Sequence, residues 1–211
     1  MAIKPILFNT EMVRAILDGR KTCTRRVVKT RRKDACGFYV TKRPDGSFTG
    51  IYEYDEDERM FENQLIPPYK SGDILYVRET WCDLPVNKAG HMRGHSIYYY
   101  KADGDLRPEG WRGNWRPSIH MPKEAARIWL KVTDVRVERL NEITDKGAER
   151  EGAQPDYPFD YDVDKWPNLE HFKKIWNSTI KKSELDRYGW QANPWVWVIS
   201  FERCEKPEVV K

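Results

Sequence analysis

Two residues three positions apart, Lys21 and Thr24, stand in the run Leu17-Asp18-Gly19-Arg20-Lys21-Thr22-Cys23-Thr24-Arg25-Arg26. The run gathers an amine, a hydroxyl and the cations of Arg20, Arg25 and Arg26. Such a set can activate a hydroxyl as a nucleophile or hold an anion. A solvated basic surface turn is the plainer reading of the same cluster.

A third group comes from Ser71-Gly72-Asp73-Ile74-Leu75-Tyr76-Val77-Arg78-Glu79-Thr80-Trp81. Here a Gly-Asp turn launches a strand. Its alternation puts Leu75, Val77, Glu79 and Trp81 on one face and Ile74, Tyr76, Arg78 and Thr80 on the other. Glu79 thus keeps apolar company. A carboxylate in that position is either ion-paired, with Arg25 or Lys21 as available cations, or desolvated until its pKa reaches the range of a usable acid.

The elements that must position these groups are short. Glu11 and Met12 to Leu17 form an amphipathic helix, with Val13, Ile16 and Leu17 on one face. Asn9 or Thr10 can cap it. Gly19 sits where a helix stops, since glycine enters the left-handed conformation without a Cβ clash. Lys21 and Thr24 then leave the helix end on a tightly shaped turn. Lys4 to Phe8 reads as a strand leading into the helix, and Val27-Val28 as the start of another.

At these positions the chain resembles a known family. Gly19-Arg20-Lys21-Thr22-x-Thr24-x-Arg26, then Gly72-Asp73 and a strand carrying Glu79, resemble the signature of ASCH domains, relatives of the PUA-like β-barrel. Lys4 to Asn9, Trp115 to Pro122, Thr144 to Gly152 and Asn193 to Val198 extend the likeness to the longer ASCH proteins of phage and prophage genomes. Residues 30 to 68 and 153 to 168 match least. The resemblance implies an α+β fold, a single PUA-like (ASCH) β-barrel over residues 1–211 with flanking helices. An inserted β-hairpin falls at about 30–68 and a C-terminal elaboration at about 141–194.

A known member of the family hydrolyses N4-acylated cytidines, such as N4-acetylcytidine, so the resemblance implies a catalytic set at Thr24, Lys21 and Glu79. Thr24 would attack the exocyclic acyl carbon. Lys21, if neutral, would take the proton, since Arg20, Arg25, Arg26 and partial burial all disfavour a further positive charge. Glu79, protonated on its apolar face, would then supply the departing cytosine amine. PUA-like barrels also bind RNA. The alternative is therefore a module in which Lys21, Arg25 and Arg26 hold a phosphate while aromatic faces stack bases. Ribonuclease activity in the same cleft is a third reading. The expected partner is a modified nucleoside or RNA, and no cofactor is expected. The insertion at 30–68 and the tail after Val137 exceed a minimal family domain, which points to a larger or different substrate.

Further binding candidates lie elsewhere. Ile97 to Lys101 reads as a strand in which Tyr98 and Tyr100 face opposite Tyr99, so that one side can stack a base or pack in the sheet. Residues 102 to 122 form a long loop where Trp111, Trp115, Arg112 and Arg116 can offer stacking and phosphate contacts. His120 in that loop either contacts substrate or holds the loop by backbone hydrogen bonds. Six of the nine residues from Arg25 to Lys33 are basic, suited to phosphate or simply to solvent.

Phe38 to Val40 and Phe48 to Tyr52 flank Pro44-Asp45-Gly46-Ser47, the turn chemistry of a β-hairpin, expected over one mouth of the barrel. Phe61 to Ile66 follows before Pro67-Pro68. Arg127 to Leu140 reads as a long strand or a bent pair, Thr144 as the cap of a short helix, and Leu169, Phe172, Lys173 and Trp176 as one helix face. Trp195 to Phe201 is a closing strand with Trp195, Trp197 and Phe201 on one side.

With 211 residues the chain suits one elaborated domain. Nine Trp, eleven Tyr and seven Phe can furnish its core, while 33% charged residues make the surface polar. Neither a transmembrane run nor a secretory h-region is present, so a soluble, cytoplasmic protein is expected. Cys23, Cys36, Cys82 and Cys204 lack paired spacing and read as free thiols. His91 and His95 lie near Cys82, but Gly90 and Gly94 work against a helix there and no ligand motif surrounds them, so no metal is expected. The phosphate-loop pattern is absent, which removes nucleoside triphosphate hydrolysis from consideration.

Overall fold

The structure is a computed structural model and describes residues 1–46, 48–84, 97–107, 109, 113–154 and 167–208. In chain order its principal elements are β1 (Ile3–Leu7), α1 (Thr10–Leu17), β2 (Cys23–Val27), β3 (Gly37–Lys42), β4 (Phe48–Tyr54), β5 (Met60–Gln64), β6 (Ile74–Arg78), β7 (Trp81–Leu84) and β8 (Ile97–Tyr100). There follow β9 (Trp129–Arg139), α2 (Asp145–Arg150), α3 (Pro167–Thr179), α4 (Leu185–Tyr188) and β10 (Trp195–Cys204). The fold is α+β, and none of the sheets among the described residues closes on itself. No described helix is long and apolar enough to cross a membrane.

The chain divides into two compact units. Unit 1 comprises Met1–Thr22, Gly72–Val132 and Phe201–Lys211; unit 2 comprises Cys23–Ser71 and Thr133–Ser200.

In unit 1, β1 runs parallel to β6 with Ile6 opposite Val77, and β6 runs antiparallel to the opening of β9 with Leu75 opposite Leu130. These four side chains are buried, so the apolar alternation of β6 is the device that sets its register. The Asp73 carboxylate accepts the Ala2 amide at 2.9 Å and the Lys4 ammonium at 2.8 Å, fastening the start of β1 to the turn that launches β6. Helix α1 begins where the Asn9 side chain accepts the Met12 amide at 2.8 Å. It stops at Gly19, whose φ of +77° admits only a residue tolerant of the left-handed region. The Lys21 amide then donates back to the Ala15 carbonyl at 2.9 Å, which pins the chain directly after the helix. Strands β7 and β8 pair antiparallel, and Ile74, Trp81, Met121, Ala125, Ala126 and Trp129 form a core against which Tyr76, Tyr98 and Tyr100 pack.

In unit 2, β2 pairs antiparallel with β10, placing Thr24 opposite Ile199, Arg25 opposite Val198 and Arg26 opposite Trp197. This corrects the expectation of a tightly shaped turn through Lys21 and Thr24 with a strand starting at Val27. The charged residues of Cys23–Val27 carry no apolar alternation, and their extension is imposed by pairing with the buried β10. In β10 itself Val196, Val198 and Ile199 are as buried as Trp197, so both of its faces are covered rather than one. Strands β3, β4 and β5 form the expected hairpin plus a third strand. Thr144 caps α2 by accepting the Gly147 amide at 3.1 Å, and α3 buries Phe172 and Trp176 against Leu140, Ile143, Val196 and Val198.

Candidate functional site

Glu79 follows β6 directly, where alternation aims it inward beside Leu75, Val77 and Trp81, and it is only 1% exposed. Its carboxylate is held by a cation that the sequence reading did not single out. Arg127, just before β9, donates Nε to Oε1 and Nη2 to Oε2, both at 3.0 Å, a two-pronged grip. Arg127 also donates Nη1 to Asp103 at 2.6 Å and lies with its guanidinium carbon 4.0 Å from the centroid of the Tyr100 ring. The Glu79 amide donates to Met121 Sδ at 3.2 Å.

Two forces act on the Glu79 proton. Burial pushes its pKa up, Arg127 pulls it down, and burial prevails, leaving Glu79 above the usual carboxylate range. Burial also pushes the neighbouring Tyr100 hydroxyl up to about 12, and that hydroxyl donates to the Ala125 carbonyl at 2.6 Å. Arg127 and Asp103 are charged neighbours of this carboxylate that the sequence did not disclose. No local pattern marks them, because Arg127 lies 48 residues from Glu79 along the chain.

Lys21, also in unit 1, is 2% exposed and sits with Nζ 5.5 Å from the centroid of the Phe8 ring. Arg20 is half-exposed and pairs with Asp18 at 2.9 Å.

Thr24 belongs to unit 2, where it is 2% exposed on β2. Arg25 beside it is held within the unit. Its Nη2 meets Glu138 at 2.6 Å and its Nη1 meets Glu151 at 3.1 Å. Burial works against this charge, but Glu151 and Glu138 outweigh it and keep the guanidinium above the ordinary arginine value. Burial draws Arg26 below that value.

The remaining candidates distribute as follows. Tyr99 pairs with Cys82 across β7 and β8, while Tyr98 packs edge-on against Trp81 at 5.8 Å between centroids. Trp115 lies under Arg107 at 4.6 Å. Arg116 pairs with Asp83 at 3.0 Å and stacks over Trp81 at 5.1 Å. His120 is exposed on a single 3-10 turn, its amide donating to the Pro117 carbonyl at 3.1 Å. In the basic stretch, the Arg31 and Arg32 amides donate to the buried Glu53 carboxylate, and Arg32 pairs with Asp34 while lying 4.0 Å over Phe61. Trp111, Arg112, His91 and His95 lie outside the described residues, and among those described no group of three potential ligands could hold a metal ion.

The unit 1 arrangement offers a desolvated carboxylate in a fixed orientation and a buried amine. The carboxylate can exchange a proton with a polar ligand or accept from its donor groups. Comparison with protein-family models, with curated proteins and with solved structures gave no match.

Proposed function

We propose that this chain is an ASCH-type, PUA-like protein that recognises a cytosine-type base and hydrolyses N4-acylated cytidine, with Glu79 and Lys21 as its proton-handling groups. The observation that carries the reading is the state of Glu79: 1% exposed, clamped by Arg127, and raised above the ordinary carboxylate range by burial. A general acid for a departing amine is favoured by a carboxyl whose pKa is raised in this direction. The part assigned to Thr24, attack on the acyl carbon, rests on the sequence pattern Lys21-Thr22-Cys23-Thr24. Hydrolysis would consume one water and yield cytidine and the carboxylic acid.

The grip of Arg127 favours a second reading. With both oxygens engaged by a cation, Glu79 can serve as a fixed acceptor for a base's amino group without transferring a proton, and the protein then only binds. Release of acetate from N4-acetylcytidine by the purified protein, measured against Glu79→Gln, decides between them. Wild-type turnover that Glu79→Gln abolishes supports hydrolysis; binding of the nucleoside without turnover supports recognition alone.

A further inference from the structure

A cavity of about 250 Å3 lies within unit 2, walled by Phe38, Tyr54, Tyr188 and Trp195 and by the side chains of Arg139 and Arg187. Neither Lys21, Thr24 nor Glu79 lines it. We propose that it binds a nucleotide, an aromatic base with its phosphate, either as a free monophosphate or as one residue of single-stranded RNA.

Charge comes first in the argument. The lining holds two guanidinium groups and no carboxylate. Arg139 spends one donor on the Asn193 carbonyl at 3.0 Å, and Arg187 spends one on the Thr30 hydroxyl at 3.1 Å. A guanidinium has five N–H donors, so most remain for an incoming anion. Among the described residues the acceptors of both side chains are neutral, so neither positive charge is cancelled inside the wall. Two forks from separate elements suit the several oxygens of a phosphate.

Shape is the second part. Arg139 is stacked 4.2 Å over Trp195 and Arg187 lies 5.2 Å from the Tyr188 centroid, so each cation is presented beside an aromatic face. Aromatic and guanidinium planes are the surfaces on which unpaired bases stack. The wall is set in advance. At Gly37 an added Cβ would collide with the Tyr54 ring, so glycine lets that ring lie flat against β3. Asn193 adopts a left-handed φ of +47°, its carbonyl held by Arg139 and its side-chain oxygen by the Asn141 amide at 2.8 Å. This strained residue fixes the turn that delivers Pro194 and Trp195 to the lining. The volume is at the small end of ligand pockets and suits one base with its phosphate rather than a dinucleotide.

Cys36, an exposed thiol in the same lining, supplies a local readout. Iodoacetamide alkylation of Cys36, followed by peptide mass spectrometry, would be run with uridine or adenosine 5′-monophosphate, with uridine alone, with inorganic phosphate, and with a short 5′-phosphorylated single-stranded RNA. The expected result is protection by the monophosphates at lower concentration than by uridine or phosphate. Arg187→Gln, a change at an exposed side chain, should raise the protecting concentration by about tenfold, the scale of a charge-assisted contact. Protection by RNA alone would identify the source as a polynucleotide. Absence of protection by every probe at millimolar concentration, or protection unchanged in Arg187→Gln, would overturn the proposal. Because the readout sits on Cys36, it is independent of whether N4-acetylcytidine is hydrolysed.

Discussion

Arg127 meets Glu79 edge to edge, Nε on Oε1 and Nη2 on Oε2, each at 3.0 Å. One residue of this pair is sealed from solvent, while the other keeps 27% of its side chain exposed and reaches Asp103 as well. Glu79 is therefore desolvated without being isolated, and its proton affinity is set by a contest between burial and a single cation.

That contest can be read from stability. The folded-state pKa of Glu79 lies above that of an unfolded glutamate, about 4.3. Between the two values the folded chain binds the extra proton, so this contribution is fully present below about pH 4.3 and is lost as pH rises through the folded value. The melting-temperature advantage of wild type over Glu79→Gln should accordingly shrink as pH rises across that window. An advantage that grows instead would show Arg127 outweighing burial.

Arg127→Met leaves the carboxylate buried with no cation. At neutral pH we expect a loss of about 2 kcal/mol by urea denaturation, less than for a fully buried pair because Arg127 is partly exposed. Acidification should recover much of it, since the neutral acid tolerates apolar surroundings. The limb on which turnover of N4-acetylcytidine falls with rising pH, set by ionisation of Glu79 as the general acid, should move to higher pH in this variant. A pH profile identical to wild type would detach Glu79 from the reaction.

Arg25 is expected to act as a structural cation. Its side chain is 3% exposed between Glu138 and Glu151, so Arg25→Met removes the buried cation these two carboxylates share, while Glu138 keeps Arg136, and should cost about 3 kcal/mol in denaturant unfolding. A variant with wild-type stability and lost RNA affinity would make it a contact residue instead.

Thr24 and Lys21 separate catalysis from binding. With Thr24→Ala, hydrolysis should vanish while N4-acetylcytidine affinity stays within about 1 kcal/mol of wild type, the scale of one neutral hydrogen bond. Lys21→Ala should impair both, because it removes the buried amine. Full hydrolysis by Thr24→Ala would exclude the threonine as nucleophile.

What was legible in the sequence was local. The Asn9 cap, the Gly19 stop, the hairpin about Asp45-Gly46 and the inward turn of Glu79 are each written within a few residues, and each is present. Illegible features depend on distant segments. Cys23–Val27 is extended because β10 pairs with it, not because of its own residues. The partners of Arg25 lie 113 and 126 residues away, and one arginine among 37 basic residues carries no sign that it will meet Glu79.

Unit 1 is built from three separated stretches, the last beginning at Phe201, whose amide donates to the Thr22 carbonyl at 2.9 Å. On a ribosome adding about 5–20 residues per second, Met1–Thr22 emerges on the order of ten seconds before that closing stretch exists. Over most of that interval β1 has its parallel partner β6 but not the end of β10, whereas the aromatic contact of Phe8 with Phe201, 6.2 Å between centroids, must wait for Phe201 itself. Completion of this unit thus waits for Phe201 to be made, and a nascent chain stalled before that residue should expose Phe8 to chaperones that the folded unit no longer engages.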